Sequence, residues 1–178
     1  MPMLLFWRPE GNSQKIVIYA WNYLIKFRSY SRDSELLNKY APSIAKLPST
    51  NGNFATGDGV KVAQEIGAEL SLMDKVQVHP TGFVDPKDPN NPTKWLGPEA
   101  LRASGGILLN AKGERFVNEL GLRDHVTHEI FKNCKPMKLA DGADGPVTSY
   151  IVLNDEAVNL FQAPVLEFYR CKLIVANH

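Results

Sequence analysis

Four ionisable side chains between positions 79 and 123 have types and spacings that can do chemistry together. His79 closes the stretch DKVQVHPTGF, residues 74–83. Extended, that stretch turns Val76 and Val78 to one side and Gln77 to the other, and puts His79 where Pro80 and Gly82 turn the chain. Glu99 and Arg102 stand three apart in a short helical stretch, so they share a face and can touch. Arg123 opens the next helix, just after Asn118 and Glu119. A hairpin between them would return the chain to the end from which it left, so His79, Glu99, Arg102 and Arg123 can meet at one rim. Two guanidiniums and an imidazole suit a small dianion, with the carboxylate handling protons or balancing charge. A plainer reading fits the same spacing. Glu99–Arg102 is then a solvated helix pair worth roughly 0.3–0.5 kcal/mol, Arg123 pairs with Asp124 at a helix start, and His79 is a turn residue.

Other stretches invite narrower readings. In TGDG, residues 56–59, free backbone N–H groups before a helix can hold an anion, or the four residues are simply a cap in a glycine turn. The dinucleotide fingerprint Gly-x-Gly-x-x-Gly would need glycine where Val62 stands, and no Gly-Lys-Ser/Thr follows for a phosphate loop. His125 and His128, with Cys134 further on, can bring metal ligands together, but no His-Glu-x-x-His occurs and no carboxylate partner is set by spacing; no metal site is assigned. Cys134 and Cys171 make no disulfide framework, which suits a reducing compartment.

The 178 residues suffice for one ordinary domain or part of a larger one, and 44% hydrophobic with 22% charged residues is globular composition. A net charge of +1 gives no reason to expect nucleic acid or an anionic membrane as partner. No transmembrane segment is expected, because the longest apolar run, IVIYAWNYLI at 16–25, has half of the roughly 20 residues a span needs. Residues 1–32 carry five Lys/Arg and one acid, as an organelle transit peptide or a foreign leader would. Helices are expected at 33–41 (capped by Asp33 or Ser34), 55–70, 98–104, 123–133 and 155–161 (capped by Asn154 or Asp155). In 55–70 the stripe is Val60, Ala63, Ile66 and Leu70, the cap Thr56 or Asp58, and the stop Gly67; in 123–133 Val126 and Ile130 share a face. Strands are expected at KVQVH (75–79), GGILLN (105–110), RFVNEL (115–120, joined to the last by the turn NAKGE) and a buried-type SYIVLN (149–154). Residues 85–95 and KLADGADGPVT (138–148) read as loops. The order reads as α+β.

Taken together, NGNFATGDGVKVAQEIGAEL, MDKVQVHPTGFVDPKDP, GPEALRASGGILLNAKGERFVNELGLRD and YIVLND resemble consecutive pieces of the soluble, FAD-dependent fumarate reductases. That family is related to succinate dehydrogenase, flavocytochrome c and aspartate oxidase. The likeness covers roughly residues 29–170, densest over 51–125, and is nearest to the eukaryotic, often NADH-linked, members. It implies that Arg123 donates the proton to fumarate, that Glu99 and Arg102 relay protons to it, that His79 holds a substrate carboxylate, and that Asp58 lies against the flavin. One departure is Pro98, where the bacterial flavocytochromes carry a threonine that touches substrate. A guanidinium normally keeps its proton, so an arginine acid needs desolvation and neighbouring positive charge.

The implied architecture is a substrate-capping domain at 71–150 with remnants of an FAD-binding domain at 29–70, a partial segment at 151–178, and an unassigned leader at 1–28. FAD is the implied cofactor, fumarate and succinate the substrate pair, NADH a candidate electron donor, and the compartment cytoplasmic or mitochondrial. The contrasting reading is a non-catalytic truncated product, or a partner-binding module without FAD. Against the family the chain is expected to be incomplete: it has no Gly-x-Gly-x-x-Gly, and it stops at His178 before the family's remaining substrate histidine and arginine. The purified chain is therefore expected to carry no FAD in an absorbance scan and to show no fumarate-dependent oxidation of a reduced dye. Stoichiometric flavin with turnover would refute the incompleteness.

Overall fold

The computed structural model describes residues 5–6, 17–18, 29–161 and 163–172. Two short strands, β1 (Leu5–Phe6) and β2 (Val17–Ile18), pair antiparallel. The rest of the leader, including most of the run 16–25, lies outside the described residues. The chain divides into two compact units, Met1–Val76 and Gln77–His178.

The first unit is built on α1 (Ser34–Tyr40) and α2 (Asp58–Glu65). Asp33 caps α1, accepting from the Leu36 amide at 2.8 Å, and pairs with Lys61 at 2.5 Å. The Leu36 amide and then Lys61 hold its carboxyl below the usual range. Leu36, Leu37, Ala41 and Ala55 form the small core. Helix α2 is shorter at both ends than the expected 55–70. Its cap is neither Thr56 nor Asp58 but Gly57, at φ +68°, while Thr56 donates to the Asp58 carboxylate at 2.7 Å. Gly67 is the stop, at φ +80°: its amide bonds the Gln64 carbonyl and the next amide, Ala68, bonds Ala63, the paired pattern that a left-handed residue completes. The stripe is not fully buried: Ile66 is 55% exposed, and Val60, Ala63 and Leu70 are half-buried.

The division after Val76 falls inside KVQVH, a run that is not a strand. KVQVH has no ladder partner among the described residues, and without one its backbone groups are left to other partners. Pairing begins at β3 (Gly82–Phe83), antiparallel to β4 (Trp95–Leu96). Most of 85–95 is loop as expected, although Trp95 belongs to β4. Gly97 continues the pairing, its amide bonding the Thr81 carbonyl at 3.0 Å and its carbonyl accepting from the Thr81 hydroxyl at 2.6 Å. Pro98 then starts α3 (Glu99–Ala103). That helix ends in the same pattern as α2: the Gly105 amide bonds the Arg102 carbonyl and the Gly106 amide the Leu101 carbonyl. Gly105 sits at φ +108°, where a β-carbon is strained.

The turn feeds β5 (Ile107–Leu109), whose antiparallel partner is β8 (Tyr150–Val152), not RFVNEL. RFVNEL keeps one bridge to β5, Leu109 with Arg115. It is not a strand because the next outward donor, the Leu108 amide, goes to the Glu119 carboxylate at 2.8 Å. Helix α4 (Arg123–Asn133) matches its expected bounds and lays Val126 and Ile130 against Leu108 and Cys134. The segment read as a loop at 138–148 instead forms β7 (Asp144–Thr148), a ribbon with β6 (Lys135–Lys138) turned at Gly142. Pro136 and Pro146 lie in this ribbon, which a two-stranded sheet tolerates because both strands are edges. Strand β8 is less buried than its composition suggests: Ile151 packs on the core while Tyr150 and Val152 are exposed. Asn154 caps α5 (Asp155–Phe161). A further helix, α6 (Ala163–Lys172), was not expected; its Tyr169 ring lies 4.8 Å from that of Phe83. Helices and strands are thus mixed, and every sheet among the described residues is an antiparallel pair.

Leu108 is 1% exposed at the centre of this core. Leu108→Ala should lower stability by about 2–5 kcal/mol, read from the urea midpoint. Leu122→Ala, at a side chain 77% exposed, should change it by no more than roughly 0.5 kcal/mol.

Candidate active site

Three local structures bring the charged residues of the second unit together. The Thr81–Gly97 pairing lays the His79 turn beside the start of α3. The glycine stop at 105–106 folds α3 back onto β5. The packing of α4 on Leu108 then presents Arg123, its first residue.

Glu99 is the hinge of the arrangement. Its Oε2 accepts from Arg123 Nη2 at 2.8 Å and Nε at 3.2 Å, and its Oε1 lies 3.8 Å from Arg102 Nη2. Arg123 Nη1 donates to Gln77 Oε1 at 2.5 Å. Arg102 is 2% exposed; its Nη1 donates to the Glu119 backbone carbonyl, and its Nε and Nη2 have no hydrogen-bond partner among the described residues. Glu99 and Arg123 are partly open to solvent. Arg123, first, and then Arg102 and His79 hold the Glu99 carboxyl below the usual range. Burial, reinforced by Arg123, lowers the Arg102 guanidinium against the opposing pull of Glu99 and Glu119.

His79 is half-buried and anchored by Thr81, whose carbonyl lies 2.9 Å and amide 3.3 Å from Nδ1. The carbonyl contact calls for a proton on Nδ1 and the longer amide contact for a lone pair there, so the tautomer sets which is made. Among the described residues Nε2 makes no hydrogen bond and is the nitrogen left for a ligand. Burial first, and then the fields of Arg123 and Arg102, lower its pKa, while the Thr81 bond and Glu99 oppose them.

The structure therefore brings Glu99, Arg102 and Arg123 into contact and puts His79 within their field. Asp58 belongs to the other unit, exposed at the first turn of α2. Residue types alone did not single out three others: Gln77, the second partner of Arg123; Thr81, the anchor of His79; and Glu119, under Arg102. For Gln77 a signal existed, since residues 77 and 79 share one side of an extended run. His125, His128 and Cys134 do not form a ligand group; among the described residues no three His, Cys, Asp or Glu side chains do. Cys134 is buried in the core, which pushes its thiol up. No helix among the described residues is long and apolar enough to cross a membrane.

His79 should titrate below about pH 6.5, the ordinary histidine value, and Arg123→Ala should raise its midpoint, both read by NMR of the imidazole. As pH falls from that value to the folded midpoint, the unfolded chain gains a proton that the folded chain does not. The His79 contribution to stability is then complete above the unfolded pKa and declines with acid through that window.

A profile of the family described as FAD binding domain matches residues 8–158. Fumarate reductase 1 of Saccharomyces cerevisiae is 47% identical over 126 residues, covering 70% of this chain and 27% of that protein. The fumarate reductase of Schizosaccharomyces pombe is 46% identical over 143 residues, covering 80% of this chain and 25% of that one. Among solved structures, the open conformation of a flavocytochrome c3 fumarate reductase superposes with a TM-score of 0.55 at 28% identity, over 81% of this chain and 22% of that chain. The chain thus spans about a quarter of the length of the curated relatives it matches. The resemblance drawn from its motifs is borne out, and with most of its length matched the chain belongs to the FAD binding domain family.

Proposed function

We propose that the chain is the substrate-handling segment of an FAD-dependent oxidoreductase that reduces fumarate to succinate, with residues 71–150 as its capping domain. One observation carries the reading: a single carboxylate, Glu99, stands between a half-exposed guanidinium at 2.8 Å and a buried one at 3.8 Å. That is an order of charges suited to passing a proton outward and to receiving an anion.

Reduced FAD, when bound, supplies hydride to one alkene carbon of the substrate. The chain's residues do the rest. Arg123 gives a proton to the neighbouring carbon, and its charge, with that of Arg102, offsets the negative charge that develops beside the substrate carboxylate. Glu99, an ionised carboxylate bonded to Arg123 through two nitrogens, takes a proton from Arg102 and passes it to the neutral Arg123, and Arg102 is recharged by a proton from water. Burial makes Arg102 a readier donor than an arginine in water. His79 takes a substrate carboxylate through Nε2. With Nδ1 bonded to the Thr81 carbonyl, that contact needs the imidazolium, and the incoming dianion supplies the negative charge that favours it. Pro98 has no hydroxyl to add.

The residues present fit FAD along one edge. Gly57 gives the first turn of α2 no side-chain cap, and Asp58 stands there exposed, so amide donors and a carboxylate can meet the ring system. No Gly-x-Gly-x-x-Gly stretch exists in the chain to cradle a pyrophosphate.

The reading is tested in a full-length fumarate reductase whose matching segment is replaced by residues 29–161. The chimera should reduce fumarate, and Arg123→Lys in it should cut kcat by about 10²–10⁴-fold, the usual worth of a positioned general acid, at unchanged flavin content. Normal turnover in that variant would remove Arg123 from its role.

A further inference from the structure

Glu119 is a buried carboxylate that the proposed chemistry does not use. The residue is 3% exposed. Its Oε1 accepts from the Leu108 amide at 2.8 Å and from Arg115 Nε at 3.1 Å; its Oε2 accepts from Arg115 Nε at 3.2 Å and Nη2 at 2.6 Å. Burial pushes this carboxyl up, but Arg115 and the Leu108 amide outweigh it, and the net direction is down. The same residue's backbone carbonyl receives Arg102 Nη1, the one hydrogen bond that the buried guanidinium makes among the described residues. So the side chain fixes residue 119 to the core strand β5, and the main chain of residue 119 holds the inner cation.

We infer that Glu119 is the positioning residue of the site: by clamping itself between Leu108 and Arg115 it sets its carbonyl where Arg102 must bond, and so sets Arg102 against Glu99. The clamp is all or nothing in its chemistry. Leu108 and Arg115 present only donors, and they reach both oxygens; a carboxylate is the one side chain of this length that faces them with two acceptors. An amide of the same shape must turn its NH₂ toward one of them. That Arg102 in turn serves a proton relay rests on the function proposed above; the anchoring does not.

The test uses the full chain and the side-chain Nη1–H of Arg102, the group that bonds the Glu119 carbonyl, followed by NMR at low temperature. In Glu119→Gln its hydrogen exchange should become about tenfold faster, as expected when a hydrogen bond to a charged group loosens. Adding Arg115→Met removes the guanidinium that the amide would confront, and should restore the slow rate. Val126→Ala weakens the same core without touching the clamp, and should leave the rate unchanged although its urea midpoint falls. An unchanged rate in Glu119→Gln, or an equal acceleration in Val126→Ala, overturns the inference. If Glu119→Gln does not fold, the unmodified chain decides: a scalar coupling from an Arg102 guanidinium nitrogen across the bond to the Glu119 carbonyl carbon is required, and its absence overturns the anchoring. None of these readouts involves fumarate. Failure here leaves the role of Arg123 standing, and loss of that role in the chimera leaves the anchor standing.

Discussion

A full positive charge is held almost wholly out of water at Arg102, and the arrangement around it follows from that constraint. A buried guanidinium is costly unless partnered. Here one nitrogen has a backbone carbonyl, and the remaining compensation comes from the Glu99 carboxylate, 3.8 Å away and short of a hydrogen bond. Glu99 in turn is close enough to Arg123 for two. The sequence of charges, positive then negative then positive, runs from the interior toward solvent. A proton can be passed along such a row without any group crossing a hydrophobic layer, and the outermost cation stays where a small anion can reach it.

The same constraint explains why α3, only five residues long, is held so firmly at both ends. Glu99 lies at its first position and Arg102 one turn later, so the helix itself sets their spacing. At its start, the Thr81–Gly97 bonds tie it to the His79 turn. At its end, Gly105 and Gly106 reverse the chain within two residues. A β-carbon at Gly106 would come 2.6 Å from the Leu101 carbonyl, so this reversal leaves no room for a larger residue.

Much of this was legible from local signals. The bounds of α4, the Asp33 cap of α1, the Gly67 stop and the Val126–Ile130 face all depend on residues within a turn or two of one another. So does the sharing of a face by Glu99 and Arg102. What was not legible depends on distant partners. KVQVH alternates as a strand does, but no other segment among the described residues pairs with it. RFVNEL is rich enough in Phe and Val to look like a second hairpin strand, yet one carboxylate at its end takes the donor that a ladder would need. The β6–β7 ribbon was hidden by its prolines, which argue against a central strand but not against a pair of edges. The stripe over 60–70 announced an apolar face, but periodicity cannot say how well it is covered: Ile66 stays exposed while Val60, Ala63 and Leu70 are half-buried.

Gln77, His79, Glu99, Arg102, Glu119 and Arg123 all fall after the division at Val76. Each distance that defines the site is internal to one body. The spacing among these six is therefore set by contacts within that unit alone, and owes nothing to the residues before the division.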